Sequence, residues 1–281
     1  GKRFLLVASN YGILVRIEDG ADRQFQKVID CKSVTMMETN FKLRLLFVLD
    51  NGTLLYFSLA SILGAYYDKN KYICDNSIIG IIIKDKVSCF KFAEDFGTSR
   101  HLFFARKGKI HVLIPEFDAI TKRTKYFKEY KQYKLPSSLI SIESTTVFRI
   151  IPFKKSFVVC TSKGVILFLD EFGDEGITLP ILLENNIISE NASSSKLGRS
   201  VFQNSNSEIT SLDTVKSQTL EHILKDVSNH RTDPLNCFHL NNNSGFILVY
   251  KKVLLKINCN GTLDNWRNDI LTLDFNCTNA I

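Results

Sequence analysis

VTMMETNFKLRLLFVLDNGTLLYFSL, residues Val34–Leu59, reads as three strands and a tight turn packed into one short stretch. Val34 opens a short alternating segment, NFKLR is a polar crossing, and LLFVLD is an apolar strand. Asn51-Gly52 then supplies a hairpin turn, because both central positions of such a turn need positive φ and Gly adopts it at no steric cost. TLLYFSL leaves on another apolar strand. Such a unit cannot bury both of its faces alone.

The layout recurs. VSCFKFAEDFGTSRHLFFARKGKIHVLI (Val87–Ile114), VFRIIPFKKSFVVCTSKGVILFLD (Val147–Asp170) and LNCFHLNNNSGFILVYKKVLLKIN (Leu235–Asn258) repeat it, and FLLVASNYGILVRI gives a partial copy at the start. From the opening apolar residue to the turn the separations are 18, 21, 17 and 17 residues. Lys107-Gly108 and Lys163-Gly164 occupy the place of Asn51-Gly52, Gly12 marks the turn of the opening copy, and Lys251-Lys252 demands a turn of another kind. Gly12 to Gly52 is 40 residues, and Gly52 to Gly108 and Gly108 to Gly164 are 56 each. About 40 residues and four strands is the repeat of a propeller blade. The longer units leave room for outer strands at Ile78–Ile83 and Tyr126–Lys134. A β-sandwich also spaces strands regularly, but it does not predict one three-strand unit five times over. The expected fold is therefore all-β: a β-propeller of four-stranded antiparallel blades, seven in number, forming one domain over residues 1–281.

Composition agrees. Of 281 residues, 44% are hydrophobic, with 21 Phe and 9 Tyr, which suits pleated, half-buried surfaces. Residues 184–233 interrupt the rhythm as one long polar and helical insertion. Its first half is rich in Asn and Ser, and Leu220, Ile223, Leu224 and Val227 make one helical face in its second half. No apolar run reaches the roughly 20 residues needed to span a bilayer, and no secretory signal opens the chain. Gly at position 1 suggests a piece of a longer polypeptide, read as cytoplasmic.

Chemistry is sparse. The five histidines (His101, His111, His222, His230, His239) form no metal-ligand or catalytic spacing, and His101 and His111 read as structural. The seven cysteines lack a C-x-x-C pair and read as small buried hydrophobes in a reducing compartment. DEFGDE, Asp170–Glu175, lacks the spacing of a calcium loop. The reading is a chain without catalytic residues, metal or cofactor. One surface feature stands out in TKRTKYFKEYKQYK: Lys122, Arg123, Lys125, Lys128, Lys131 and Lys134 alternate with Tyr126, Phe127, Tyr130 and Tyr133. Lysines on an outer strand block edge pairing. The same interleaving suits an acidic partner, either an acidic protein or anionic lipid ahead of nucleic acid. The net charge of +7 does not by itself point to nucleic acid.

The ordered set FLLVASNYGILVRI, VTMMETNFKLRLLFVLDNGTLLYFSL, YFKEYKQYKLPS, FVVCTSKGVILFLD with the following TLP, and PLNCFHLNNNSGFILVYKKVLLKINCNG resembles the citron homology (CNH) domain of fungal Rho guanine-nucleotide exchange factors. The insertion has no counterpart in that pattern, and VYKKVLLKIN lacks the acidic and aromatic residues that often follow the family's tyrosine, here Tyr250. The resemblance implies a non-catalytic scaffold domain in cell-wall and cytoskeletal signalling, with exchange chemistry in another domain of the parent protein. Its implied partners are a Rho-type small GTPase and other domains of the exchange factor, and its implied location is peripheral at the plasma membrane through the parent. The alternative is a membrane-tethering or vesicle-sorting propeller that binds small GTPases or anionic lipid.

Overall fold

The computed structural model describes residues 3–18, 24–67, 80–96, 99–136, 145–153, 156–169, 176–179, 234–240, 245–258, 261–263 and 270–273. Side chains are described for these except residues 94–96, 99 and 239. The chain divides into two compact units, one of residues 1–134 with 152–156, the other of residues 135–151 with 157–281. The expected insertion at 184–233 and the DEFGDE segment lie outside the described residues.

The first unit holds three antiparallel sheets. The first comprises β1 (Phe4–Ser9), β2 (Gly12–Ile17) and β3 (Gln26–Ile29). The second runs β4 (Val34–Asn40), β5 (Leu45–Asp50), β6 (Thr53–Ser58), β7 (Ile81–Lys84), with helix α1 (Leu59–Tyr67) between its last two strands. The third comprises β8 (Cys89–Phe96), β9 (Ser99–Arg106), β10 (Lys109–Phe117) and β11 (Thr124–Lys134). In the second unit β12 (Val147–Pro152), β13 (Ser156–Thr161), β14 (Gly164–Leu169) and β15 (Ile177–Leu179) form a fourth sheet. A fifth follows with β16 (Pro234–His239), β17 (Gly245–Tyr250), β18 (Val253–Asn258) and β19 (Ile270–Thr272). Strands neighbouring in sequence pair in space, so each sequence repeat becomes one up-and-down sheet. The outer strands expected near Ile78–Ile83 and Tyr126–Lys134 are β7 and β11.

The central strands explain why the sheets stack. β5 and β6 are apolar at almost every position, and period-two alternation sends their side chains to opposite faces. Leu45, Phe47, Leu49, Leu54 and Tyr56 enter one cluster with Phe90, Phe92, Leu102 and Phe104 of the third sheet. Leu46, Val48 and Phe57 enter another with Ile13, Val15 and Val28 of the first sheet and Ile62 and Tyr66 of α1. The second sheet is thus covered on both sides within its unit. Phe47 stacks on Phe92 with ring centroids 5.5 Å apart. A polar strut crosses the same junction. Glu38 on β4 pairs with Lys91 Nζ of β8 at 2.8 Å and accepts the Phe92 backbone N–H at 3.2 Å. In the second unit β13 and β14 are likewise buried on both faces, and Phe157 stacks on Phe168 at 4.7 Å.

The turns fall into three kinds where the sequence suggested two. Asn51-Gly52 (φ 47° and 75°) and Lys107-Gly108 (φ 50° and 68°) are two-residue turns with both residues left-handed. Gly12 and Gly164 are not turn residues; each opens the following strand, and the loops are Asn10-Tyr11 and Ser162-Lys163. A hydroxyl clasps each of these loops. Ser9 Oγ donates to the Gly12 carbonyl at 3.0 Å and accepts the Tyr11 N–H at 3.2 Å; Thr161 Oγ1 does the same with Gly164 at 2.9 Å and Lys163 at 3.1 Å. Gly12 is obligatory for contact as well as φ, since a Cβ there would lie 2.2 Å from the Ile29 carbonyl oxygen. Lys251-Lys252 is the third kind, with neither residue at positive φ.

Cys31, Cys89, Cys160 and Cys237 are buried and none is in a disulfide, as expected of small apolar residues. Burial pushes the Cys31 and Cys160 thiols up to about 12, which keeps them protonated and unreactive. No helix among the described residues is long and apolar enough to cross a membrane.

Candidate functional site

The basic segment singled out in the sequence forms the β10–β11 loop and β11, the outermost strand of the third sheet. Asp118 builds the loop. Its Oδ1 accepts the N–H groups of Ile120 (3.1 Å) and Thr121 (2.7 Å) and the Thr121 hydroxyl (2.9 Å). Those bonds to Thr121, then to Ile120, hold its carboxyl below the usual carboxylate range. The loop closes through Asp118 N–H to the Arg123 carbonyl (2.9 Å) and Lys122 N–H to the Asp118 carbonyl (3.0 Å). Lys122 takes a left-handed φ of 55°, and Lys122 and Arg123 are both exposed at the start of the strand.

The register then distributes the lysines. Lys128 lies opposite Ile114, Lys131 opposite Val112 and Lys134 opposite Lys109. Tyr130 is an extra residue between Lys131 and Glu129, and Lys125 is another between Tyr126 and Thr124. Alternation therefore places Lys128 and Lys131 on one face of the sheet and Lys134 on the other. The Lys131 ammonium sits 4.6 Å from the Tyr133 ring centroid, a cation–π contact. Lys125, displaced by its bulge, turns to a cleft on the opposite side. The six cations predicted as a set are contiguous along the chain, but they do not share a face. Lys122, Arg123, Lys125, Lys128 and Lys134 have no ion-pair partner among the described residues.

The cleft holding Lys125 is about 290 Å³ and lies between the outer strands of the second and third sheets. Tyr56, Phe104, Leu113 and Phe127 supply its apolar lining. Along its rim β7 exposes Ile81 (54%) and Ile82 (62%), and β11 exposes Tyr126 (49%). His111 stacks flat on Phe104, with centroids 4.8 Å apart and an interplanar angle of 4°. Its Nδ1 lies 3.4 Å from Glu129 Oε1. Burial is the larger influence on His111 and lowers its pKa below the usual imidazole value, with Glu129 opposing. Glu129 also accepts a hydrogen bond from Gln132 Nε2. His101 is buried at 5% exposure and edge-on to Tyr130 at 5.3 Å. Both histidines are packed structural side chains.

A second groove, about 630 Å³, lies beside α1 and is lined by Phe4, Leu6, Met37, Phe41 and Ile62. Arg3 and Glu18 pair at its mouth at 3.5 Å. Sequence reasoning did not single out either groove. The signal for the smaller was present as three consecutive isoleucines followed by Lys84 in a strand already placed at the outside of a blade.

Comparison with known proteins gives concordant results. The family model of the CNH domain matches residues 1–278. The Rho1 guanine nucleotide exchange factor TUS1 of Saccharomyces cerevisiae is 43% identical over 280 residues, which is 100% of this chain and 21% of that protein. The chain thus spans about a fifth of that relative. Among solved structures, the AfRom2 CNH domain superposes with a TM-score of 0.61 at 16% identity, covering 98% of this chain and 70% of that one. The β-propeller domain of Swd1 from Myceliophteria thermophila gives a TM-score of 0.45 at 9% identity, covering 90% and 59%. The fold is an all-β propeller of antiparallel sheets, four of the five described being four-stranded and the first three-stranded.

Proposed function

The chain belongs to the CNH-domain family, and from that premise we propose that it is a non-catalytic interaction scaffold of a Rho guanine-nucleotide exchange factor. The observation that carries this reading is 43% identity, along the whole chain, to a Rho1 exchange factor. The scaffold binds a Rho-type GTPase or other domains of its parent protein, and acts in cell-wall and cytoskeletal signalling. The setting is cytoplasmic, peripheral at the plasma membrane through the parent. Exchange chemistry resides elsewhere in the parent.

The contact surface in this reading is the basic loop and strand: Lys122, Arg123, Lys125, Lys128, Lys131 and Lys134. Lys128 and Lys131, on one face, form its centre, with Lys122 and Arg123 at one end. Lys131 is half-buried and the other five are exposed; surface cations of this kind steer encounter and set salt dependence more than they add raw affinity. The interleaved Tyr126 and Tyr130, 49% and 57% exposed, support a second reading in which the same strand meets anionic lipid.

Calorimetry of the full chain against a Rho-type GTPase in GDP-bound, GTP-analogue-bound and nucleotide-free states tests the proposal. Binding in at least one state is expected, weakened by Lys128→Glu with Lys131→Glu and by added salt, with no acceleration of nucleotide release by the chain alone. Absence of heat in all three states refutes GTPase binding. Flotation with phosphatidylserine vesicles that is lost on the same charge reversals moves the surface to the lipid reading.

A further inference from the structure

We propose that the outer edge of β7 and the cleft beside it dock an extended peptide segment of a partner protein in which aliphatic residues alternate with acidic ones. The proposal does not rest on the exchange-factor reading: its central residues, Ile81 and Ile82, lie outside the basic set, of which Lys125 alone lines the cleft.

Three features of the edge select that occupant. β7 is the terminal strand of its sheet, and among the described residues no strand pairs with its outer side. An unpaired strand edge presents N–H and C=O groups in a row, which an added strand satisfies along its length. Natural sheets usually blunt such edges with charge or proline, yet here Ile81 and Ile82 stand 54% and 62% exposed on successive positions. Because they alternate across the strand, an occupant paired to the edge would meet an isoleucine on each face and cover them with aliphatic side chains.

The charge around the edge then specifies the remaining positions. Lys84 and Lys125 line the cleft. Glu129 is the carboxylate among its lining residues, and it is engaged by His111 Nδ1 and Gln132 Nε2. The cleft is therefore cationic toward an incoming chain, and carboxylates on the occupant would complement it. The groove wall of Tyr56, Phe127 and Leu113 lies beside Ile81, giving one aliphatic residue of the peptide a pocket to fill.

The test is selection from a random heptapeptide display library on the immobilised full chain, followed by fluorescence anisotropy with the resynthesised winners. Enriched sequences are expected to alternate Ile, Val or Leu with Asp or Glu. Ile82→Lys should weaken the winning peptide by about tenfold or more, the factor expected from losing one buried aliphatic side chain. Lys84→Glu should also weaken it, with a loss that shrinks as salt is raised. A peptide N-methylated at alternate amides should fail to bind, which distinguishes edge pairing from simple insertion into the cleft. Lysine is at home on an exposed edge strand, so Ile82→Lys should keep the wild-type urea midpoint. Enrichment of basic or patternless peptides, equal binding to Ile82→Lys, or undiminished binding of the N-methylated peptide would each overturn the proposal. So would a wild-type dimer in sedimentation that Ile82→Lys dissolves, because the edge would then belong to a second copy of the chain.

Discussion

Phe47 and Phe92 offer a direct measure of how far one blade depends on the next. Phe47 is fully buried on β5, Phe92 is 5% exposed on β8, and their rings stack at 26° with centroids 5.5 Å apart. The two residues belong to different sheets, so their coupling reports packing between blades. Replacement of either by leucine removes three carbons and an aromatic contact, and each change should cost about 1–3 kcal/mol. The stacked pair should contribute about 0.5–1.5 kcal/mol of coupling beyond the single losses. Phe47 with Val15, which packs on the opposite face of the second sheet, is the control. Its double mutant should be additive within about 0.5 kcal/mol. Equilibrium urea unfolding of wild type, the single mutants and both double mutants, followed by near-UV dichroism, supplies the numbers. The reasoning fails if Phe47→Leu and Phe92→Leu each destabilise but add without coupling. It fails equally if the control couples as strongly, since the effect would then be a general softening of the chain.

Gly12→Ala places a methyl group against the Ile29 carbonyl at φ 126°, and should destabilise by about 3 kcal/mol in the same unfolding assay. Thr161→Val keeps the shape but removes the hydroxyl clasp across Ser162-Lys163, and should cost about 1–2 kcal/mol, while Thr161→Ser should recover most of it. His111 has its pKa depressed on folding, so the unfolded chain takes up its proton first as pH falls. The stability it contributes is complete above about pH 6.5 and is lost as the pH drops through that value toward the folded pKa. His111→Gln should therefore flatten the decline in urea midpoint between pH 7.5 and 5, and an unchanged slope would contradict the assignment.

The parts of the fold legible in the sequence are those whose side chains are constrained on both faces. LLFVLDNGTLLYF could be placed because two consecutive apolar strands around Asn51-Gly52 leave few alternatives. Helix α1 is not legible although Leu59, Ile62, Leu63 and Tyr66 carry helical spacing, because SLASILGAYY continues the apolar run of β6 without a break. Strands β15 and β19 have three residues each, too few for periodicity to declare itself. Gly12 and Gly164 are legible as necessary, but their place is the first residue of the following strand and not the turn. The Ser9 and Thr161 hydroxyls three positions earlier are the signal that moves each glycine from the turn to the following strand. The basic segment was legible as a composition and not as a surface. Its division between two faces depends on bulges at Lys125 and Tyr130, which no pattern in TKYFKEYKQYK announces.

That division has a physical origin in the position of a strand within its blade. Strands β5, β6, β9 and β10 are held between neighbours, and a single polar substitution at Phe47 or Phe104 would place an unpaired group in a dry core. Outer strands have an edge with no neighbour among the described residues and partly exposed faces, so they tolerate an extra residue, a charge or a bare isoleucine with little loss of stability. β7 and β11 use that tolerance in opposite ways, one as an apolar edge and the other as a bulged cationic ribbon. They lie on either side of one cleft. Both contact surfaces proposed above thus fall where the repeat is least constrained, and substitutions there should change binding while leaving the unfolding midpoint in place. The inner strands should behave the other way round.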